Sequence, residues 1–340
     1  MSNYVVPEKE AISVPINYLS KEEKCMSSNH AVVVDPSAPG RLVIRDVDYP
    51  SASPSEAIVR VKAISLNRGE VRTASNAEAG WRPGWDLTGI VEKAAADGSE
   101  PHVGARVVGM RLEGAWAEVV AVSTTMLAEI PEGVSFTQAA TLPIAGLTAL
   151  WTLEHGGQLL DRRVLITGAT GGVGHLACQL ARHEGAHVTG VVRQPGHEAT
   201  VKEAGAHQVI VSEDLGDARN SGTYDLILDS VGGRTLANAL TLLAPNGTCV
   251  NFGISGGSEV TFDLRRFFLL GGATLYGFII FHELKSKSVT EGLARLSRLV
   301  VDGRLRPQID VEAPWTQIGD VAQRLLNRSF TGKAVLHVSN

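Results

Sequence analysis

Between Arg163 and Ile280 the chain alternates short apolar strands with helical stretches: VLITG, a helix from about Val173, HVTGVV, a helix near Ala199, QVIV, DLILD, a helix near Leu236, TCVNFG and ATLYGFI. The strands are continuous apolar runs rather than alternating ones, the pattern of strands covered on both faces. Strands that each lead into a helix return in parallel, so this segment predicts a doubly wound parallel α/β sheet.

The first strand of the series runs directly into Ala169, Thr170, Gly171, Gly172, Val173 and Gly174 and then into the apolar helix HLACQLARHEG. A glycine-rich turn between a strand and a helix is the setting in which a dinucleotide is held. Gly171 admits a pyrophosphate without a Cβ in the way, Gly174 lets the helix pack closely on its strand, and the helix N-terminus offers unpaired N–H groups to the anion. Thr170, Gly172 and Val173 complete the expected cradle; Ala169 stands where the motif has its first glycine. About 20 residues on, where an NAD-selective site places an acid on the ribose 2′-hydroxyl, the chain has Val192 and Arg193. A cation there favours a 2′-phosphate, so the expected cofactor is NADPH; the plainer reading of Arg193 is a solvent-exposed strand end.

The remaining chain is organised differently. A total of 340 residues exceeds what one core usually serves. From Ala31 to about residue 130 short strands are parted by turns, at Ala57–Leu66, Leu87–Val91, Arg106–Met110 and Ala117–Val122. Thr137–His155 reads as a linker helix pair broken at Pro143. Beyond the sheet come helices over about Glu283–Val301 and Trp315–Asn327 and a closing strand at Ala334–Val338. The expected units are an extension over 1–28, a β-rich part over 29–145, the nucleotide unit over 146–281, and a return to the β-rich unit over 282–340. Phe267–Phe281 is too short for a membrane span and reads as a buried strand with its approach. A net charge of −5 with no block of like charge argues against nucleic acid and anionic lipid as partners. The N-terminus lacks the apolar core of a secretory signal, and Cys25, Cys178 and Cys249 have no spacing suited to disulfides or a thiolate zinc site, so a reducing cytoplasm is expected. Cys178 falls on the sheet-facing side of its helix and reads as core.

Taken in order, LPIAGLTALWTL, VLITGATGGVGHLACQLARHEGAHV, DLILDSVGG and NFG resemble the medium-chain dehydrogenase/reductase superfamily, specifically its zinc-independent, quinone oxidoreductase-like branch. The resemblance spans about residues 29–340. It implies a GroES-like β-rich catalytic domain, in two sequence pieces, around a Rossmann domain, with the active site in the cleft between them. Asn67 and Trp85 stand where zinc-dependent relatives have a cysteine and a histidine, and the four-cysteine lobe is missing between Val91 and Arg106. No metal is therefore expected.

Without a Lewis acid, hydride addition to an enone, enoyl thioester or quinone is the natural reaction, because the developing negative charge spreads over a conjugated system. The resemblance suggests that Asn67 donates its amide N–H to substrate or cofactor; a strand-end turn is the alternative. Trp85, with Trp81, offers a flat wall for a ring, or else packs in the core. Thr148, Gly253 and Ile254 are placed by resemblance beside the nicotinamide. His197 is expected either to contact phosphate or to supply the proton, with an idle turn histidine as the plain alternative. Arg68 and Glu70 read as a surface ion pair or as groups orienting a polar substrate. A homodimer through the ATLYGFI edge is expected. Two other functions stay open: a natural-product tailoring enzyme using the same cleft for dehydrogenation or hydride-initiated cyclisation, and a non-catalytic NADPH-binding protein.

Overall fold

In a computed structural model of the chain, which describes residues 28–338, the apolar strands of the middle segment form one six-stranded sheet. Its members are β8 (Arg163–Thr167), β9 (His187–Val192), β10 (Gln208–Val211), β11 (Tyr224–Asp229), β12 (Leu243–Asn251) and β13 (Thr274–Gly277). All pair in parallel, in the order β10-β9-β8-β11-β12-β13. The chain leaves β8 toward one edge and returns at β11 toward the other, so the strand order reverses between these two. Open α/β sheets bind their ligands at the carboxyl ends of the strands flanking that switch.

Val164, Leu165 and Ile166 of β8 are fully buried, as strands covered on both faces require. The helix Gly172–His183 turns Leu176, Ala177, Cys178, Leu180 and Ala181 onto the sheet at helical spacing. Cys178 is core, and burial pushes its thiol up to about 12. Cys25 and the extension before Ser28 lie outside the described residues.

The second sheet is built from β3 (Glu56–Leu66), β4 (Asp86–Lys93), β5 (Arg106–Met110), β6 (Val119–Ser123), β7 (Leu127–Glu129), β14 (Ile309–Pro314) and β15 (Lys333–His337). Its order is β14-β15-β3-β4-β5-β7, with β6 also on β3; the chain returns after the parallel sheet to add β14 and β15. A two-stranded antiparallel ribbon, β1 (Ser28–Val34) and β2 (Leu42–Asp48), stands beside it. β2 and β14, with their mixed polar residues, escape the sequence reading.

The expected linker pair is three pieces: a helix over Phe136–Ala140, a buried π-helical turn over Leu142–Gly146, and a helix over Leu147–Glu154. Pro143 interrupts the helical hydrogen-bond ladder, which frees the N–H of Ile144 for another acceptor.

The run Phe267–Phe281 is not a buried strand. It holds the end of a helix over Leu264–Leu269, none of whose residues is buried, and then β13, which is largely exposed. β13 has one neighbouring strand, and Thr274, Leu275 and Gly277 are exposed, while Tyr276 stacks on His155 and donates to Glu283 Oε1 at 2.7 Å. The helix expected from Glu283 begins at Val289, capped by Ser288. No helix of the described residues is long and apolar enough to cross a membrane.

Candidate active site

A cleft of about 1170 Å³ runs across the carboxyl ends of β8, β9 and β11 and reaches the end of β3 in the second sheet. Asn67, Trp85, Thr148, Thr170, Gly171, Gly172, Val173, Gly174, Arg193, His197, Gly253 and Ile254 all line it.

At the phosphate turn, Gly168 rather than residue 169 takes the left-handed conformation, with φ +62°. Ala169 is fully buried against Gly190 of β9, so its methyl group fits where the motif has glycine. Gly174 has no such freedom: a Cβ there would sit 2.3 Å from the Gly168 carbonyl oxygen. The helix is N-capped by Gly171, which has no side chain to satisfy the first-turn amides. Those amides, with the positive end of the helix dipole, suit an anion.

The other strand ends are tied by a residue the sequence reading missed. Asp229, at the tip of β11, accepts from Thr167 Oγ1 (2.9 Å), Gly232 N (2.8 Å) and Asn251 Nδ2 (2.8 Å). One carboxylate thus gathers the ends of β8, β11 and β12 and sets the turn that leads to Gly253. Burial raises its pKa, and these hydrogen bonds oppose the rise.

Arg193 is exposed just past β9, and His197 follows at the start of the helix Glu198–Glu203. Arg68 and Arg328 also line the cleft. Desolvation, and then the charges of Arg328, Arg72 and Arg193, lower the pKa of Arg68; desolvation and Arg193 lower that of Arg328. These cations face one another across the cleft with no carboxylate within ion-pair distance among the described residues.

At the opposite end, beneath Asn67, lies a buried polar knot. Lys333 Nζ donates to Leu66 O (3.0 Å) and Asn67 Oδ1 (2.7 Å) and lies 3.4 Å from Asp86 Oδ2. Asn67 Nδ2 donates to Asp86 Oδ2 (2.7 Å) and Glu70 Oε1 (3.0 Å), and the Asn67 N–H also reaches Glu70 Oε1 (2.7 Å). Asp86 Oδ1 accepts the N–H of Ile144 freed by Pro143, at 3.0 Å. Two expectations change here. Both amide hydrogens of Asn67 are engaged inside the knot, so none remains for substrate or cofactor. Glu70 is fully buried and forms no surface pair with Arg68, which instead donates to Leu326 O. Burial, reinforced by the Asp86 charge, raises the Glu70 pKa well above the usual range, and its Oε2 has no partner. Burial also raises the Asp86 pKa, and Lys333, with the hydrogen bonds from Asn67 and Ile144, opposes that rise.

Trp85 packs edge-to-face on Phe281, with ring centroids 5.0 Å apart, and closes over Gly69. Ile144, Phe278 and Ile280 extend this apolar wall. Trp81 is not part of it; its indole N–H donates to Glu113 Oε2 at 3.1 Å, outside the cleft. Thr148 is buried and lines the cleft.

Residues 172–298 match the zinc-binding dehydrogenase family, and residues 53–132 match the alcohol dehydrogenase GroES-like domain. Over 327 residues the chain is 28% identical to the probable quinone oxidoreductase of Schizosaccharomyces pombe, covering 91% of this chain and 97% of that one. It is 26% identical over 315 residues to the synaptic vesicle membrane protein VAT-1 homolog of Danio rerio, covering 84% of this chain and 65% of that longer protein. The structure of the quinone oxidoreductase from Coxiella burnetii superposes with a TM-score of 0.79 at 26% identity, covering 92% of this chain and all of that one. Fold and cleft together define a two-sheet nucleotide-binding oxidoreductase. The chain belongs to the medium-chain dehydrogenase/reductase superfamily, on its quinone oxidoreductase-like branch. A nicotinamide nucleotide is the cofactor this family implies, and the glycine cradle fits one.

Proposed function

We propose that the chain is an NADPH-dependent, metal-independent reductase that transfers a hydride to a conjugated acceptor: an enone, an enoyl thioester or a quinone. The observation that carries this reading is a single cleft with a glycine phosphate turn at one end and the Trp85–Phe281 wall at the other. The first-turn amides at Gly172, Val173 and Gly174 would hold the pyrophosphate. Arg193, with Arg68 and Arg328 nearby, supports a 2′-phosphate rather than a bare ribose hydroxyl. His197, four residues past Arg193, fits the phosphate contact better than the proton donor, which leaves protonation of the product to solvent. The chemistry that a reduced nicotinamide supplies when bound is donation of a hydride.

The apolar wall excludes water and holds a planar acceptor against Thr148, Gly253 and Ile254. A catalytic zinc does not fit the residues present. The Lys333 ammonium, a cation itself, lies 3.4 Å from Asp86 Oδ2, and two unit charges of like sign 4 Å apart repel by about 4 kcal/mol at the effective dielectric of a protein site. Among the described residues, the one set of three ligand-type side chains that converges is the exposed Glu100, His102 and Glu129, away from the cleft. With no strong Lewis acid, an acceptor that delocalises its own charge is the better substrate.

The same reading makes the partners a small conjugated molecule and a second copy of the chain, with no nucleic acid or membrane, in a reducing cytoplasm. The unpaired edge of β13 and the exposed Phe268, Leu269, Leu275 and Ile279 support the dimer. The test is oxidation of NADPH by the purified protein against quinones, enones, enoyl thioesters and their saturated ketone counterparts. Turnover confined to the conjugated members is expected; turnover of the saturated ketones, or of nothing, overturns the reading.

A further inference from the structure

We propose that Lys333 is a positioning residue for this reaction, holding the substrate-side wall in register with the phosphate turn; the proposal rests on the reductase reading above. The start of β15 touches both halves of the cleft. On the nucleotide side, Gly332 N donates to Thr170 O at 2.8 Å, and Gly332 forms a parallel bridge with Gly171. The aliphatic stem of Lys333 lies over the first helical residue: a Cβ on Gly172 would be 2.6 Å from its Cδ. On the substrate side, its ammonium grips the junction between β3 and the helix Arg68–Ala74, through Leu66 O and Asn67 Oδ1, and neutralises Asp86.

The next three residues of β15, Ala334, Val335 and Leu336, are apolar and fully enclosed. Packing alone would be satisfied by another apolar residue at its start, and a buried ion pair is weak evidence for stability. What the ammonium adds is direction. It fixes the side chain of Asn67, the N-cap of the helix that presents Arg68 to the cleft, relative to the turn that holds the cofactor.

The stem and the head of the side chain are separable by mutation. Lys333→Met keeps the stem, so NADPH affinity stays within about twofold of wild type, while kcat falls about 10- to 100-fold as the wall loses its register. Lys333→Ala removes the stem as well and weakens NADPH binding about tenfold, the loss of a single packing contact. Because Lys333→Met strands the Asp86 charge, its Tm drops by roughly 5–10 °C. Combining it with Asp86→Asn removes the stranded charge; Tm then recovers while kcat stays low. A purely structural lysine would show the two recovering together. Wild-type kcat in Lys333→Met, or kcat recovering along with Tm in the double variant, overturns this proposal alone. A wild-type chain that neither binds NADPH nor reduces conjugated acceptors overturns the reductase reading and this proposal with it.

Discussion

The two ends of the cleft are built on opposite principles. At the phosphate turn donors are left unspent: Gly171 caps its helix with no side chain, and Arg193 stands exposed. In the knot around Asn67 the amide is spent on both sides, against Glu70 and Asp86 with its nitrogen and against Lys333 with its oxygen. The open end is arranged for a ligand that brings charge. The closed end shapes a wall and offers a substrate little beyond apolar surface. An enzyme divided in this way draws its binding energy from the cofactor and relies on the acceptor's own conjugation for the chemistry.

Filling the open end is expected to abolish cofactor binding. Gly174→Val places a branched side chain where even one Cβ would sit 2.3 Å from a backbone oxygen. NADPH binding should weaken by more than about 100-fold, with an overpacking cost of about 1–3 kcal/mol or more, measured by fluorescence titration and urea unfolding. Retained affinity would show that the helix does not need its close approach to the turn.

Opening the closed end is expected to act on stability and to leave the phosphate turn in place. Asp86→Ala leaves the Lys333 ammonium buried without its counter-ion, and urea unfolding should show a loss of about 3–5 kcal/mol. A loss below 1 kcal/mol would mean that water already reaches the knot.

The smallest expected effect is a pH dependence of the closed end. Burial raises the folded pKa of Glu70 above its unfolded value, so the folded chain binds the proton more tightly than the unfolded chain does. Its contribution is fully present below the unfolded pKa, near 4.3, and is lost as pH rises toward the folded pKa. Glu70→Gln keeps the shape and removes the titration, so Tm of the variant should gain on wild type as pH rises from 5 to 8. A Tm difference that stays flat across that range would place Glu70 in contact with solvent.

Elements repeated at one period were legible from residues alone. VLITG, HVTGVV and DLILD announce themselves because a strand buried on both faces must be apolar throughout, and the phosphate turn because glycine is needed where backbones approach closely. β2, with LVIRDVD half-exposed, carries no such pattern. The apolar run after Asp263 misleads for the converse reason: edge and surface residues there are apolar without being buried. The twelve candidate residues line one cleft, while the amide of Asn67 is turned into the knot. Its position follows from neighbours close in sequence, whereas the state of its amide depends on Lys333, which lies 266 residues away in the chain. Asp229 was hidden in the same way, since its partners Thr167 and Asn251 come together only when three strands align.

The most direct test of the account is a paired titration of the purified chain with NADPH and NADH, repeated on Arg193→Ala. The wild type should prefer NADPH by about 10- to 100-fold, the worth of a charge-assisted contact to the 2′-phosphate, and the variant should lose most of that preference. Equal affinity for the two nucleotides in the wild type, or a preference that survives removal of Arg193, would contradict it.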